Sequence, residues 1–117
     1  MPVRSLTSSV IKWPDRRSVH QALRSWARDT KQGHPNVLRI GYFGSYARGD
    51  WGVGSDVDVI VILKKSGLPR ERRSLEFDQE KLPVPADLLV YTLDEWESLS
   101  ASGSGFARML AREAVWL

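Results

Sequence analysis

Residues 37–63 read VLRIGYFGSYARGDWGVGSDVDVIVIL. The β-branched and aromatic content of Val37 to Phe43 predicts a strand. Gly44 and Ser45 end it. Tyr46, Ala47 and Arg48 start a short helical turn, and Gly49 to Ser55 form a glycine-punctuated loop. Asp56 to Leu63 is the strongest strand in the chain. Ile60 and Ile62 lie on one of its alternating sets, with Val57, Val59, Val61 and Leu63 on the other. A strand apolar on both sets belongs at the centre of a sheet, covered on both faces.

Upstream, Asp15 follows Pro14 as a helix N-cap. Val19, Ala22, Leu23, Trp26 and Ala27 then recur at helical spacing up to a stop near Gly33. Arg16, Arg17, Arg24, Arg28 and Lys31 fill the rest of that helix's surface. Residues 1–14 read as an N-terminal arm. Downstream, the charged stretch 69–82 predicts a helix around Glu71–Lys81, with Leu75 and Leu82 turned inward. Ala86 to Tyr91 is a third strand. Asp94 caps the next helix, with Glu97 completing a capping box. Ser98 to Gly105 is expected to be mobile. Phe106 to Ala114 forms a last helix, and Val115 to Leu117 an edge strand. The order predicts an α/β (α+β) fold: one domain, residues 15–117, with a small mixed β-sheet and helices packed mainly on one face.

Bulk properties narrow the chemistry. The 117 residues, 42% hydrophobic, supply one modest core. With no cysteine, a disulfide scaffold and a thiolate zinc site are excluded. His20 and His34 are the only imidazoles. A metal would therefore be held by oxygen, which favours Mg²⁺, Mn²⁺ or Ca²⁺. No stretch is apolar for long enough to span a membrane. The opening MPVRSLTSSVIKW lacks a signal peptide's apolar run, so the expected location is the cytoplasm. The net charge of +3 is mild. Arg16, Arg17, Arg24 and Arg28 read as a solvated helix face rather than a nucleic-acid footprint, and direct nucleic-acid binding is not expected.

Asp56 and Asp58, one residue apart on a strand, point to one face. Alone they repel, and a divalent cation removes that cost. The plainer alternative is a pair of exposed strand-end aspartates, with Ser55 capping the turn. Gly44-Ser45 lets a phosphate come close to the backbone, at the N–H groups of a helix start. Asp87, opening the third strand, is either a strand-end cap or a third carboxylate. In the second role it would share a second metal and take the proton of an incoming hydroxyl. Together these features suit metal-assisted phosphoryl or nucleotidyl transfer.

The run GSYARGDWGVGSDVDV, residues 44–59, has Gly-Ser, ten residues, then Asp-x-Asp. It resembles the signature of the DNA polymerase β-like nucleotidyltransferases. With the chain's size and its first helix, the wording is most similar to the minimal nucleotidyltransferase (MNT) branch. The resemblance covers about residues 15–117 and implies the palm fold of that superfamily. It implies that Asp56, Asp58 and Asp87 are catalytic and bind metal. Gly44, Ser45, Arg48 and Ser55 would lie on the nucleotide. Two Mg²⁺ ions and ATP as substrate follow from the same likeness.

Stand-alone MNT proteins are often antitoxins encoded beside a HEPN-domain toxin, and some transfer AMP from ATP to a toxin tyrosine. The implied function is transfer of AMP to a hydroxyl of such a partner. At this length the chain is expected to depend on the partner for its acceptor. Two alternatives stay open: a non-catalytic nucleotide- or toxin-binding module, and an adenylyltransferase acting on a small molecule. Relatives of the latter kind usually carry an extra helical domain. Trp51 in the motif loop is either a base or partner contact, or a loop anchor packed on the domain. The loop from Gly49 to Ser55, with Trp51 and Val53, departs from the small or acidic residues common in relatives, which leaves substrate preference open.

Overall fold

A computed structural model describes residues 14–117. The arm expected over residues 1–14 therefore lies, except for Pro14, outside the described residues. Helix α1 (Arg16–Gly33) starts where expected: the Asp15 carboxylate accepts from the Ser18 N–H at 2.8 Å. Its buried residues are Val19, Leu23, Trp26 and Ala27, the apolar stripe of the sequence pattern. Strand β1 (Val37–Phe43), helix α2 (Ser45–Arg48) and strand β2 (Val57–Leu63) follow. Next come helix α3 (Arg70–Arg73), a 3₁₀ turn (Ser74–Glu76) and strand β3 (Ala86–Thr92). Helices α4 (Leu93–Ala101) and α5 (Gly105–Glu113) and strand β4 (Val115–Trp116) complete the chain.

The four strands lie in the order β3-β2-β1-β4. β2 runs antiparallel to β1 and parallel to β3, and β4 is antiparallel to β1. The mixed α/β sheet and the central place of β2 agree with the sequence. The placement of the helices needs correction, because both faces are covered. Val57, Val59, Val61 and Leu63 pack with α1 residues, whereas Ile60 and Ile62 pack with Leu110, Trp96 and Phe106 of α4 and α5. A strand apolar on both sets needs a cover on each side, and the helices divide to supply it.

Three local expectations are also corrected. The helix predicted over Glu71–Lys81 is reduced to α3 and the 3₁₀ turn. Arg73 is drawn inward, donating to the Leu68 and Val90 carbonyls and to Glu95. Leu75 lies two residues, or roughly 200°, further round and turns out to solvent at 79% exposure. Phe77, with Leu82 and Val84, fills the core instead. The Trp26 indole N–H, donating to the Asp78 carbonyl at 2.6 Å, fastens this segment to α1. Helix α4 is capped by Thr92 and Glu95, not by Asp94 and Glu97, and both halves of that capping box are formed. Ser98 to Ala101 belong to α4, and only the next three residues separate it from α5, whose cap is Ser104. β4 docks on β1 at Gly41, where a Cβ would lie 2.7 Å from the Trp116 ring.

Candidate active site

The topology gathers three distant pieces of sequence at one end of the sheet. β1 ends at Phe43 there, while β2 and β3 begin there. Phe43 stands opposite Asp58, and Asp58 opposite Asp87. Alternation along each strand puts Asp58 and Asp87 on the face of Ile60, Ile62 and Tyr91. The two carboxylates are therefore neighbours in one cross-strand row. Asp58 is half-buried and Asp87 exposed. Asp56 was expected inside β2 but lies one residue before it, in the loop. It approaches the row from the loop side, exposed.

Gly44 closes the row at the β1 end. Its φ of 79° and ψ of −151° belong to a region open in practice only to glycine. A Cβ there would collide with the Asp58 carboxylate. Asp58 and the bare backbone at Gly44 thus occupy adjoining space that no side chain can share. Helix α2 is a single turn of four residues, so any cradle here rests on backbone geometry more than on a helix dipole.

The electrostatics match this crowding. Burial, then the charges of Asp87 and Asp56, push the Asp58 carboxyl above its ordinary range, opposed by the charge of Arg48. Arg48 is the cation whose charge bears on Asp58, but it is engaged. It donates to Asp50 at 3.1 Å and to Glu113 of α5 at 3.2 Å, and these hydrogen bonds hold its guanidinium above its usual range. Ser55 turns inward on its own loop, its hydroxyl accepting from the Gly52 N–H at 2.8 Å. Trp51 stacks on Tyr46 with centroids 5.4 Å apart and planes 6° from parallel. Of its two readings, this contact is that of a loop anchor.

The donor set fits a hard divalent cation. Every candidate ligand is a carboxylate, and the strain on Asp58 is of the kind a cation relieves. Among the described residues no three acidic or imidazole groups close into a ready-made cage. Mg²⁺ is usually held by one or two carboxylates with waters and substrate phosphates, a set to which Asp56 and Asp58 could contribute. Beyond Asp87 the surface opens into a cleft of about 730 Å³ shared with Arg70, Ser74, Leu89 and Glu95.

Sequence reasoning did not find Glu113, Asp50 or Tyr46 at this site. Glu113 is 65 positions from Arg48 and carried no local signal. The Tyr46–Trp51 pair had one, two aromatics five residues apart across Gly49.

Residues 23–115 match the family model described as the nucleotidyltransferase domain. A candidate protein adenylyltransferase of Methanocaldococcus jannaschii is 35% identical over 52 residues, 44% of this chain. The aligned part is 52% of that relative, so the match spans about half of its length. A crystal structure of a candidate nucleotidyltransferase from Sulfolobus solfataricus aligns over 86% of this chain and 80% of its own. Its TM-score is 0.61 at 19% identity, a likeness of fold. A toxin–antitoxin structure with AMP-PNP aligns more loosely, at 17% identity and TM-score 0.46, over 82% of this chain and 69% of its own.

Proposed function

We propose that this chain, which belongs to the nucleotidyltransferase domain family, transfers AMP from Mg²⁺-bound ATP to a hydroxyl of a partner protein. The observation that carries this reading is the cross-sheet row in which Asp58 and Asp87 stand side by side against the bare backbone of Gly44.

Asp56 and Asp58 would hold the metal, with Asp87 beside a second ion. Bound there, Mg²⁺ supplies charge neutralisation for the triphosphate and the attacking oxygen. The chain's own groups do the rest. The Gly44-Ser45 backbone lets the triphosphate come close. Arg48 exchanges its carboxylates for phosphate oxygens, and Ser55 holds the loop that presents Asp56. Asp87 accepts the proton as the acceptor oxygen bonds to the α-phosphorus. The bond from that phosphorus to the bridging oxygen breaks, and pyrophosphate leaves.

The partner in this reading is a HEPN-type toxin, with this chain as its antitoxin in the cytoplasm. Among the described residues no helix is long and apolar enough to cross a membrane. The test incubates the protein with α-labelled ATP, Mg²⁺ and the product of the neighbouring gene. Label should appear on that product and vanish in the Asp56→Asn, Asp58→Asn double variant. Neutralisation of the toxin by the double variant, with no label transferred by wild type, would instead make the chain a binding module.

A further inference from the structure

The sheet has an open edge at β3, and it is open only beside Asp87. The Val57 N–H donates to the Pro85 carbonyl, so the backbone groups of residues 85, 87, 89 and 91 face β2. Those of Ala86, Leu88, Val90 and Thr92 face outward. The far half of this edge is capped by the chain itself: Arg73 donates to the Val90 carbonyl, and the Thr92 N–H donates to Glu95. At Ala86 and Leu88 no such cap exists among the described residues, and the 730 Å³ cleft begins at Asp87 and Leu88 and runs on along Leu89 and Val90 to Arg73 and Glu95. Unpaired edge groups are a template for an added strand.

We propose that this edge receives an extended segment of the partner polypeptide, paired to Ala86–Leu88, and that the segment carries the accepting hydroxyl. The inference rests on the nucleotidyl-transfer reading and deepens it. Register supplies the reason. The row across the sheet runs Phe43, Asp58, Asp87. An added strand extends that row by one position, and the side chain there projects on the same face as the Asp87 carboxylate. A hydroxyl at that position stands beside the group that takes its proton.

Charge defines the segment further. Arg70 lines the same cleft, its guanidinium over the Tyr91 ring at 5.3 Å, and no acidic group pairs with it among the described residues. Tyr91 lies four residues along β3 from Asp87, on the same face. An acidic side chain about four residues from the hydroxyl, as the segment leaves the edge, meets Arg70. The occupant is thus an extended peptide with a hydroxyl residue and a nearby carboxylate.

Two variants test this without touching the carboxylate row. Ala86→Pro removes an outward N–H that the sheet does not use, a place where proline is tolerated. Arg70→Glu reverses the charge on an exposed side chain. The assay is AMP transfer from labelled ATP with Mg²⁺ to an array of decapeptides containing Ser, Thr or Tyr, with Mg²⁺–ATP binding measured separately. Wild type should label peptides with an acid a few residues from the hydroxyl. Ala86→Pro should lose labelling tenfold or more at unchanged ATP affinity, and Arg70→Glu should shift the preference to basic neighbours. Labelling by both variants as by wild type overturns the edge while leaving the transfer reading in place; label on small-molecule hydroxyls offered in parallel, and on no peptide, overturns the edge and the protein acceptor alike. Failure of wild type to bind Mg²⁺–ATP appears in the binding arm and overturns both.

Discussion

Replacing Gly44 by alanine tests the site at its tightest point. Two costs arise, and they separate. The dihedrals at Gly44, 79° and −151°, are strained for any residue with a Cβ, at about 1–3 kcal/mol. The new methyl also meets the carboxylate of the half-buried Asp58. Rotating that carboxylate away takes it from its place in the row. We expect Gly44→Ala to lower stability by about 2 kcal/mol, or roughly 8–16 °C in Tm for a domain of this size. We also expect Mg²⁺–ATP affinity to fall at least tenfold. The second cost disappears if Asp58 is absent. In an Asp58→Ala background the same change should therefore cost about 1 kcal/mol less, because contacting residues are not additive. Thermal or urea unfolding of the four proteins gives the cycle. Equal costs in both backgrounds, or a Gly44→Ala protein that binds Mg²⁺–ATP like wild type, would refute the claim that glycine is there to make room for Asp58.

Three further outcomes follow from the geometry. Asp58→Asn should stabilise the metal-free chain at neutral pH by up to about 1 kcal/mol while abolishing transfer, since it removes a half-buried charge crowded by Asp87 and Asp56. The sign is that of a raised carboxyl: wild type should gain stability as pH falls through the Asp58 titration, and the Asn variant should not. Arg73→Ala should cost about 2–3 kcal/mol in urea unfolding, less than a fully buried pair because the Glu95 side chain is 35% exposed. Arg73 first, and then the Thr92 N–H, hold Glu95 down at about 2 from an ordinary 4.5, so wild type should lose this contribution as pH drops through that window and the variant should lose less. Trp51→Ala should lower the Tm of the free protein and weaken Mg²⁺–ATP binding about fivefold, matching about 1 kcal/mol of aromatic stacking, and Trp51→Phe should restore most of both. An unchanged Tm in the free alanine variant would count against the anchor.

The elements written in local periodicity were legible in the sequence. Val37–Phe43 was read to the residue, and α1 and β2 to within one, because a single pattern and a single cap dominate each. The N-terminus of α4 was misplaced because Thr92/Glu95 and Asp94/Glu97 both fit a capping box. What decides between them is where β3 stops pairing with β2, a fact about residue 63 rather than residue 92. Residues 70–77 misled for a similar reason: a buried arginine looks like a surface one until Glu95, 22 positions on, is placed beside it. At the site, the residue types that suit a metal and a phosphate could be named from spacing. The register that sets Asp58 against Asp87, and the collision that excludes a Cβ at Gly44, exist only once strands from three regions are aligned.

The mixed direction of the sheet also has a kinetic side. β1 and β2 pair across the short connection 44–56. β3 must close the longer one, residues 64–85, before it can pair parallel to β2. Loop-closure entropy places the second pairing late. If the like charges of Asp58 and Asp87 meet only after the rate-limiting barrier, the expected outcome is that Asp58→Asn slows unfolding of the metal-free chain and leaves its folding rate nearly untouched, which stopped-flow urea kinetics would check. Of the two pairings that build the carboxylate row, the one that brings in Asp87 is in that sense the later to assemble and the first to let go.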